Sequence, residues 1–143
     1  VKSHGALYNV ASHDIRVARA IARGVARFDP SLILVGLANS ALVKAAEEVG
    51  LTPASEGFCD RAYNADGTLR SRREPGAVHA TPERAAAQAV QLARDHALTA
   101  YDGTIIALEV DTLCIHGDTP HAVEYARAIR RALADAGIEI KAM

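Results

Sequence analysis

Two histidines in this sequence are each followed by a glycine, as His4-Gly5 and His116-Gly117. An imidazole accepts a proton near neutral pH or binds a metal ion through its neutral ring, and a glycine lets the backbone approach a ligand closely. His4 is therefore a candidate general base or metal ligand, and the alternative is a loop histidine bonded only to the backbone. For His116 the alternative is a ring that only caps the end of a strand.

Two aspartates accompany these histidines. Asp60 is followed by Arg61, and the two form either a structural ion pair or a holder for an anionic substrate. Asp118 follows the second His-Gly pair and either belongs to a site or caps the helix predicted after it. The two cysteines, Cys59 and Cys114, are predicted to be small apolar fillers of the core.

Residues 60–76 form the least regular segment of the sequence, and they include Arg70, Arg72 and Arg73. Guanidinium groups hold carboxylate or phosphate through bidentate contacts. The sequence contains 13 Arg and 3 Lys, so a solvated loop rich in arginine explains the cluster equally well. Both interpretations stay open.

Strands and helices alternate along the predicted chain. Apolar spacing and capping residues predict helices, and short apolar runs predict strands. The predicted helices are 12–28, 40–49, 81–96 and 119–137; the predicted strands are the opening residues 1–5, then 32–35, 54–58, 105–110, 112–116 and 138–140. Tyr101–Thr104 is a predicted hairpin turn. This alternation predicts an α/β fold with a parallel sheet, in a single domain of residues 1–143.

In parallel α/β sheets, ligands bind at the carboxyl ends of the strands. Polar side chains follow four of the predicted strands, at Lys2 and His4, at 38–40, at Glu56 and Asp60, and at His116 and Asp118. We therefore expect Lys2, Asp60 and His116 to lie at one rim of the sheet.

The composition argues against several function classes. A net charge of −1 gives no reason to expect nucleic acid or an anionic membrane as a partner. A mean hydropathy of +0.04 without a long uncharged apolar run argues against a transmembrane helix. Two cysteines fit a reducing cytoplasm better than a disulfide framework. The sequence contains no P-loop motif, so ATP would have to be held in another way here.

Four blocks of the sequence resemble the LamB/YcsF family. Residues 1–9 resemble its V-K-P-H-G-A-L-Y-N signature, and residues 35–40 resemble V-G-L-A-x-S. Residues 58–72 resemble F-A-D-R-x-Y…D-G-x-L-x-x-R, and residues 114–120 resemble C-V-H-G-D-T-P. The blocks occur in the family's order along nearly the whole chain. Ser3 stands where the family usually has proline, and Cys59 where it usually has alanine.

The resemblance implies a seven-stranded (β/α) barrel of the deacetylase-like type. Residues 1–143 would be its C-terminal half, which agrees with a chain that opens on the end of a strand. The activity implied is that of the A subunit of ATP-dependent 5-oxoprolinase, a hydrolase that converts 5-oxo-L-proline or a similar lactam to L-glutamate. The resemblance also implies ATP with Mg²⁺, subunits B and C as partners, and a cytoplasmic location. A homo-oligomer stays open.

The same resemblance assigns roles to individual residues. Hydrolysis of an activated lactam needs groups that transfer protons and cationic groups that bind phosphate or carboxylate. His4 and Asp60 are the catalytic candidates. The candidates for substrate and phosphate binding are Lys2, Arg61, Tyr63, Arg72, His116 and Asp118. Whether the protein binds a metal ion stays open.

Two other functions remain as alternatives. A metal-dependent amidase or deacetylase would use His4, His116 and an acid from outside this chain, without ATP. A non-catalytic scaffold subunit would dock partners and contribute no residue to the chemistry.

Overall fold

The computed structural model describes residues 1–118 and 121–142, which form five helices and five strands. The helices are α1 (Ala6–His13), α2 (Ile15–Phe28), α3 (Ala41–Glu48), α4 (Pro82–Asp95) and α5 (Ala122–Asp135). The strands are β1 (Ile33–Leu37), β2 (Thr52–Phe58), β3 (Ala97–Thr99), β4 (Ile105–Ala107) and β5 (Thr112–Cys114). The predicted α/β class is confirmed. None of the described helices is long and apolar enough to cross a membrane.

The chain divides into two compact units. The first contains Val1–Gly57 and Val110–Thr112, and the second contains Phe58–Glu109 and Leu113–Met143. The predicted single domain stays a prediction, because compactness does not show whether two units unfold together.

In the first unit, β1 and β2 pair in parallel, with Leu37 opposite Glu56. The N–H of Val35 donates to the carbonyl of Val1 at 2.8 Å, and Lys2 forms a parallel bridge with Val35. The strand expected at the start of the sequence is therefore a single bridge beside β1. These pairings place Lys2 and Glu56 in the same small sheet.

Helix α1 is the element that the sequence prediction missed. The predicted helix began at Ser12, whereas α1 ends at His13 and Asp14 caps α2 by accepting hydrogen bonds from the N–H groups of Arg16 and Val17. The Ser12 hydroxyl instead donates to the carbonyl of Asn9 inside α1. Asp14 also offers a stable N-cap, so the chain breaks there into two helices.

Alanine makes up most of the core of the first unit. The small side chain of alanine lets neighbouring backbones approach closely. Gly36 of β1 serves the same purpose, because a Cβ added there would lie 3.2 Å from Cβ of Leu42 on α3. The buried members of this core are Ala11, Ala18, Ala22, Leu34, Leu42, Ala45, Ala46 and Leu51.

In the second unit, α4 begins where the sequence predicts. The hydroxyl of Thr81 accepts a hydrogen bond from the N–H of Arg84, and Pro82 occupies the first turn, where its missing N–H costs nothing. Helices α4 and α5 share a core with Cys59, Ala85, Ala86, Ala89, Tyr125, Ile129 and Leu133. The packing of Cys59 confirms its prediction as a small filler.

The antiparallel pair β3–β4 confirms the predicted hairpin, in which Asp102 accepts a hydrogen bond from the N–H of Thr104. Strand β3 was not predicted, and β4 is shorter than the predicted 105–110. The predicted strand 138–140 is wrong. Gly137, with φ +74°, follows the end of α5 as expected, but residues 138–142 form no strand. The predicted helix start at 119–120 lies outside the described residues.

Candidate functional site

The carboxylate of Asp60 lies in the loop after β2 and is 1% exposed. A buried carboxylate needs hydrogen-bond donors to offset its lost hydration. Its Oδ2 accepts the backbone N–H of His116 at 3.1 Å and lies 2.9 Å from Nδ1 of the same residue. One residue of the loop after β5 thus supplies two donors to Asp60.

The contact with Asp60 fixes the tautomer of the His116 ring. Because a carboxylate accepts hydrogen bonds, Nδ1 of His116 carries a hydrogen, and in the neutral ring Nε2 then has the lone pair. The ring stacks on Phe58 with centroids 5.2 Å apart, and the side chain is 24% exposed. Within the described part of the chain, Nε2 makes no hydrogen bond. This arrangement presents Nε2 of an oriented imidazole at the surface of the second unit.

Arg61 and Tyr63 are buried and bond to the backbone of the same loop region. Nε of Arg61 donates to the carbonyl of Ala77 at 3.1 Å, and its Nη2 donates to that of Arg70 at 2.6 Å. Burial, and then the nearby charge of Arg72, lowers the pKa of Arg61. No ion pair joins Arg61 to Asp60 among the described residues, so that predicted pairing is replaced by bonds to carbonyls.

Tyr63 is fully buried, and its hydroxyl oxygen accepts the N–H of Phe58 at 2.7 Å. This bond fixes the residue on which the His116 ring stacks. The predicted binding roles of Arg61 and Tyr63 stay predictions, since both side chains are also needed to shape the loop.

The arginines of the predicted cluster contact different partners. Nη1 of Arg72 lies 3.5 Å from Oδ2 of Asp118, and both side chains are about half or more exposed. Arg70 pairs with Glu74 and places its guanidinium 3.7 Å from the ring centroid of Tyr101. Arg72 and Asp118, both predicted binding residues, therefore form a surface pair.

A second polar group belongs to the first unit and centres on Glu56, which is 4% exposed. Its Oε1 accepts from Nζ of Lys2 at 2.7 Å, and its Oε2 accepts from the hydroxyl of Tyr8 at 2.8 Å. The Lys2 ammonium also lies 5.4 Å from the Tyr8 ring centroid. The carboxylate thus holds a predicted cationic residue in a defined position. The expected common rim with Asp60 and His116 stays a prediction.

His4 lies on the surface of the first unit, just before α1. Its ring makes no hydrogen bond with the described residues, and Gly5 after it has φ +60°, a conformation that glycine adopts easily. Ser3 before it has a buried hydroxyl that finds no hydrogen-bond partner within the described chain. The catalytic role predicted for His4 stays a prediction.

Sequence reasoning assigned no role to His79, Gln88 or Tyr8, which nevertheless bond to candidate site elements. Gln88 lies on the buried stripe of α4 between Ala85 and Ala89. A polar residue on an apolar stripe is unusual, and this is a signal that could have found it. Among residues 1–118 and 121–142, no three His, Cys, Asp or Glu side chains are grouped so that they could hold a metal ion.

Comparison with known proteins identifies close relatives. The model of the LamB/YcsF family matches residues 1–143. The 5-oxoprolinase A subunit of Chloroflexus aurantiacus is 53% identical over 142 residues, which are 99% of this chain and 56% of that protein. The 5-oxoprolinase A subunit of Bacillus subtilis is 46% identical over 143 residues, which are 100% of this chain and 56% of that protein.

Solved structures also match the chain, among them one that covers all of it. The crystal structure of lactam utilization protein from Thermus thermophilus superposes with a TM-score of 0.91 at 44% identity, covering 100% of this chain and 57% of that one. The chain therefore spans a little over half the length of the curated relatives and of the solved structure that it matches.

Proposed function

Since the chain belongs to the LamB/YcsF family, we propose that it acts in an ATP-dependent 5-oxoprolinase as part of the A subunit. The proposed reaction opens the lactam of 5-oxo-L-proline, or of a similar cyclic amide, to give L-glutamate. The names of the relatives from Chloroflexus and Bacillus support this activity, and the match to a lactam utilization protein supports the substrate class. The geometry that carries the proposal is the Asp60–His116 pair.

Lactam hydrolysis needs a base because water is a weak nucleophile. In the proposed step, Nε2 of His116 takes a proton from the attacking water while Asp60 holds Nδ1–H and stabilises the imidazolium that forms. The water oxygen bonds to the carbonyl carbon, the ring C–N bond breaks, and the nitrogen takes up a proton. His4 is the second proposed proton-transfer group.

A lactam is a resonance-stabilised amide, so its hydrolysis gains from coupling to ATP. ATP, when bound with Mg²⁺, would supply the phosphoryl group that activates the lactam oxygen, and after ring opening a second water would release that group as inorganic phosphate. Lys2 and Arg72 fit phosphate or carboxylate because their side chains stay 39% and 49% exposed. Glu56 and Asp118 orient these two cations through ion pairs. Arg61 and Tyr63 shape the loop that surrounds Asp60.

The proposal includes a larger assembly and a fuller fold. Subunits B and C are the proposed partners, supported by the naming of the relatives as the A subunit of an enzyme. The seven-stranded barrel is supported by the parallel β1–β2 pair and by its connection through helix α3. A cytoplasmic location is supported by two free cysteines, of which Cys59 is buried.

The deciding experiment assays the full-length protein with both partner subunits, 5-oxoproline, ATP and Mg²⁺. We expect glutamate and ADP to appear together and to need every component. His116→Gln should lower the rate by about 10²–10⁴-fold, whereas the control His13→Gln, an exposed histidine of α1, should not change it.

Two results would replace the proposal. Glutamate release without ATP, lost on adding a chelator, would show a metal-dependent amidase. Full activity after both His116→Gln and His4→Ala, in an assembly that still needs this chain, would show a scaffold subunit.

A further inference from the structure

A buried glutamine holds the backbone on both sides of Asp60. Gln88 on α4 is 8% exposed, and its Nε2 donates to the carbonyls of Phe58 at 2.7 Å and Arg61 at 2.8 Å. A carboxamide nitrogen has two hydrogens, and backbone carbonyls only accept. Both hydrogens are therefore used, and these bonds fix the orientation of the Gln88 amide. Asp60 lies in the sequence between the two residues whose carbonyls accept them.

His79 holds the other end of the same amide. Its Nε2 lies 2.8 Å from Oε1 of Gln88, and since that oxygen only accepts, Nε2 carries the hydrogen. Burial lowers the pKa of His79, against a smaller opposing effect of the Gln88 bond, and so favours the neutral ring. The backbone N–H of His79 donates to the carbonyl of Asp60 at 2.9 Å. The hydroxyl of Tyr125 on α5 donates to the carbonyl of His79 at 2.7 Å.

We propose that Gln88 is a positioning residue for the Asp60–His116 pair, with His79 fixing its amide. The inference rests on the proposed proton-transfer role of that pair. Asp60 bonds the His116 ring at 2.9 Å, and Phe58 stacks on it at 5.2 Å. Gln88 holds the carbonyl of Phe58 and brackets Asp60, so one amide contributes to the placement of both groups that contact the ring, together with the bonds of Tyr63 to Phe58 and of the His79 N–H to Asp60.

The competing explanation is that Gln88 only satisfies two buried carbonyls. A purely structural glutamine would lower the stability of the protein when it is replaced, but the folded fraction would keep its turnover and the tautomer of His116. A positioning glutamine would change both, because a misplacement of about 1 Å in a catalytic group costs on the order of 10²-fold in rate.

The main variant is Gln88→Met, which has similar length and no hydrogen-bonding amide. The second variant is His79→Phe, which leaves the Gln88 amide in place without the donor that orients it. The matched control is Gln91→Met. Gln91 lies three residues further along α4 and also makes two hydrogen bonds through its amide. It donates to Oγ1 of Thr99 and accepts the N–H of the same residue.

Two readouts decide the question in the full-length protein with its partner subunits. The first is kcat and KM for 5-oxoproline, and we expect Gln88→Met to lower kcat by about 10²-fold with KM unchanged. His79→Phe should lower kcat less, and Gln91→Met should leave it unchanged. The second readout is the ¹⁵N NMR spectrum of the His116 ring, which should show Nδ1–H in the wild type and a mixture of tautomers in Gln88→Met.

The outcomes separate this inference from the function on which it rests. If the wild type hydrolyses no lactam, the proposed function fails, and the His116 spectrum still tests the positioning on its own. If Gln88→Met and His79→Phe keep both the kcat and the His116 tautomer of the wild type, the positioning role is overturned and Gln88 is structural. If Gln88→Met does not fold, His79→Phe gives the same two readouts.

Discussion

Oδ2 of Asp60 lies 2.9 Å from Nδ1 of His116 and 3.1 Å from the backbone nitrogen of the same residue. The two residues are 56 positions apart in the sequence, and the shared oxygen locks both the ring and the main chain of His116 to a buried carboxylate. A ring held at its Nδ1 side has only Nε2 left for chemistry. A change at Asp60 is therefore expected to act through the His116 ring.

Asp60→Asn should lower lactam hydrolysis by about 10²–10⁴-fold with little change in fold. The amide has nearly the same shape as the carboxylate but can donate to Nδ1. This favours the tautomer of His116 that carries its hydrogen on Nε2 and so has no lone pair there. The measurement is glutamate release by the assembled complex, with circular dichroism to check folding.

Asp66→Asn serves as the control for this change. Asp66 accepts the N–H and hydroxyl of Thr68 in an exposed turn, and an amide oxygen can still accept them. Equal activity of the Asp60 and Asp66 variants would contradict an orienting role for Asp60.

His4→Ala should also lower turnover by about 10²–10⁴-fold if His4 transfers a proton, and it should leave the stability unchanged because the ring is exposed. His13→Ala is the matched control, since His13 is an exposed histidine of the neighbouring helix α1. A His4→Ala complex with wild-type turnover would leave His116 as the base and remove His4 from the site.

Ser3→Ala should leave the free energy of unfolding unchanged or raise it by about 1–3 kcal/mol. The hydroxyl of Ser3 is buried without a hydrogen-bond partner within the described chain, and removing such a group relieves its desolvation cost. Urea unfolding of the full-length protein measures the difference.

Ser40→Ala is the comparison for the Ser3 variant. The hydroxyl of Ser40 caps α3 by accepting the N–H of Val43, so its loss should cost about 1 kcal/mol. A Ser3→Ala protein that loses as much stability as Ser40→Ala would show that Ser3 has a partner in solution.

His79 should make the protein less stable in mild acid. Burial lowers its pKa below the ordinary value of 6.5, so between the folded pKa and about 6.5 the unfolded chain binds more protons than the folded one. The unfolding free energy therefore rises with pH in this window and falls as the pH drops below about 6.5. His79→Phe should show a smaller difference between urea unfolding at about pH 8 and about pH 5 than the control His13→Ala; equal differences would contradict it.

Local signals in the sequence predicted the elements that depend on local chemistry. Thr81-Pro82 located the start of α4, and Ser40 capped α3, because capping uses atoms within one turn. The division between α1 and α2 was missed because Ser12 and Asp14 are both good caps; in the structure Asp14 caps α2 and the hydroxyl of Ser12 bonds inside α1.

For the candidate site too, the sequence predicted individual residues but not the contacts between residues distant along the chain. The rule on strand ends predicted Asp60 and His116 at one rim of the sheet, but no local pattern predicts that they bond to each other. The contacts of Gln88 and His79 with the Asp60 loop come from the packing of α4 against it, which one sequence does not contain.

The chain has four tyrosines and no tryptophan. Three of the phenol groups bond to elements of the candidate site: Tyr8 to Glu56, Tyr63 to the N–H of Phe58, and Tyr125 to the carbonyl of His79. The fourth, Tyr101, lies against the Arg70 guanidinium in the arginine-containing loop. The near-ultraviolet absorbance and fluorescence of residues 1–143 therefore arise largely beside these groups. Binding of a lactam, which does not absorb at these wavelengths, can therefore be followed near them through tyrosine fluorescence without a label.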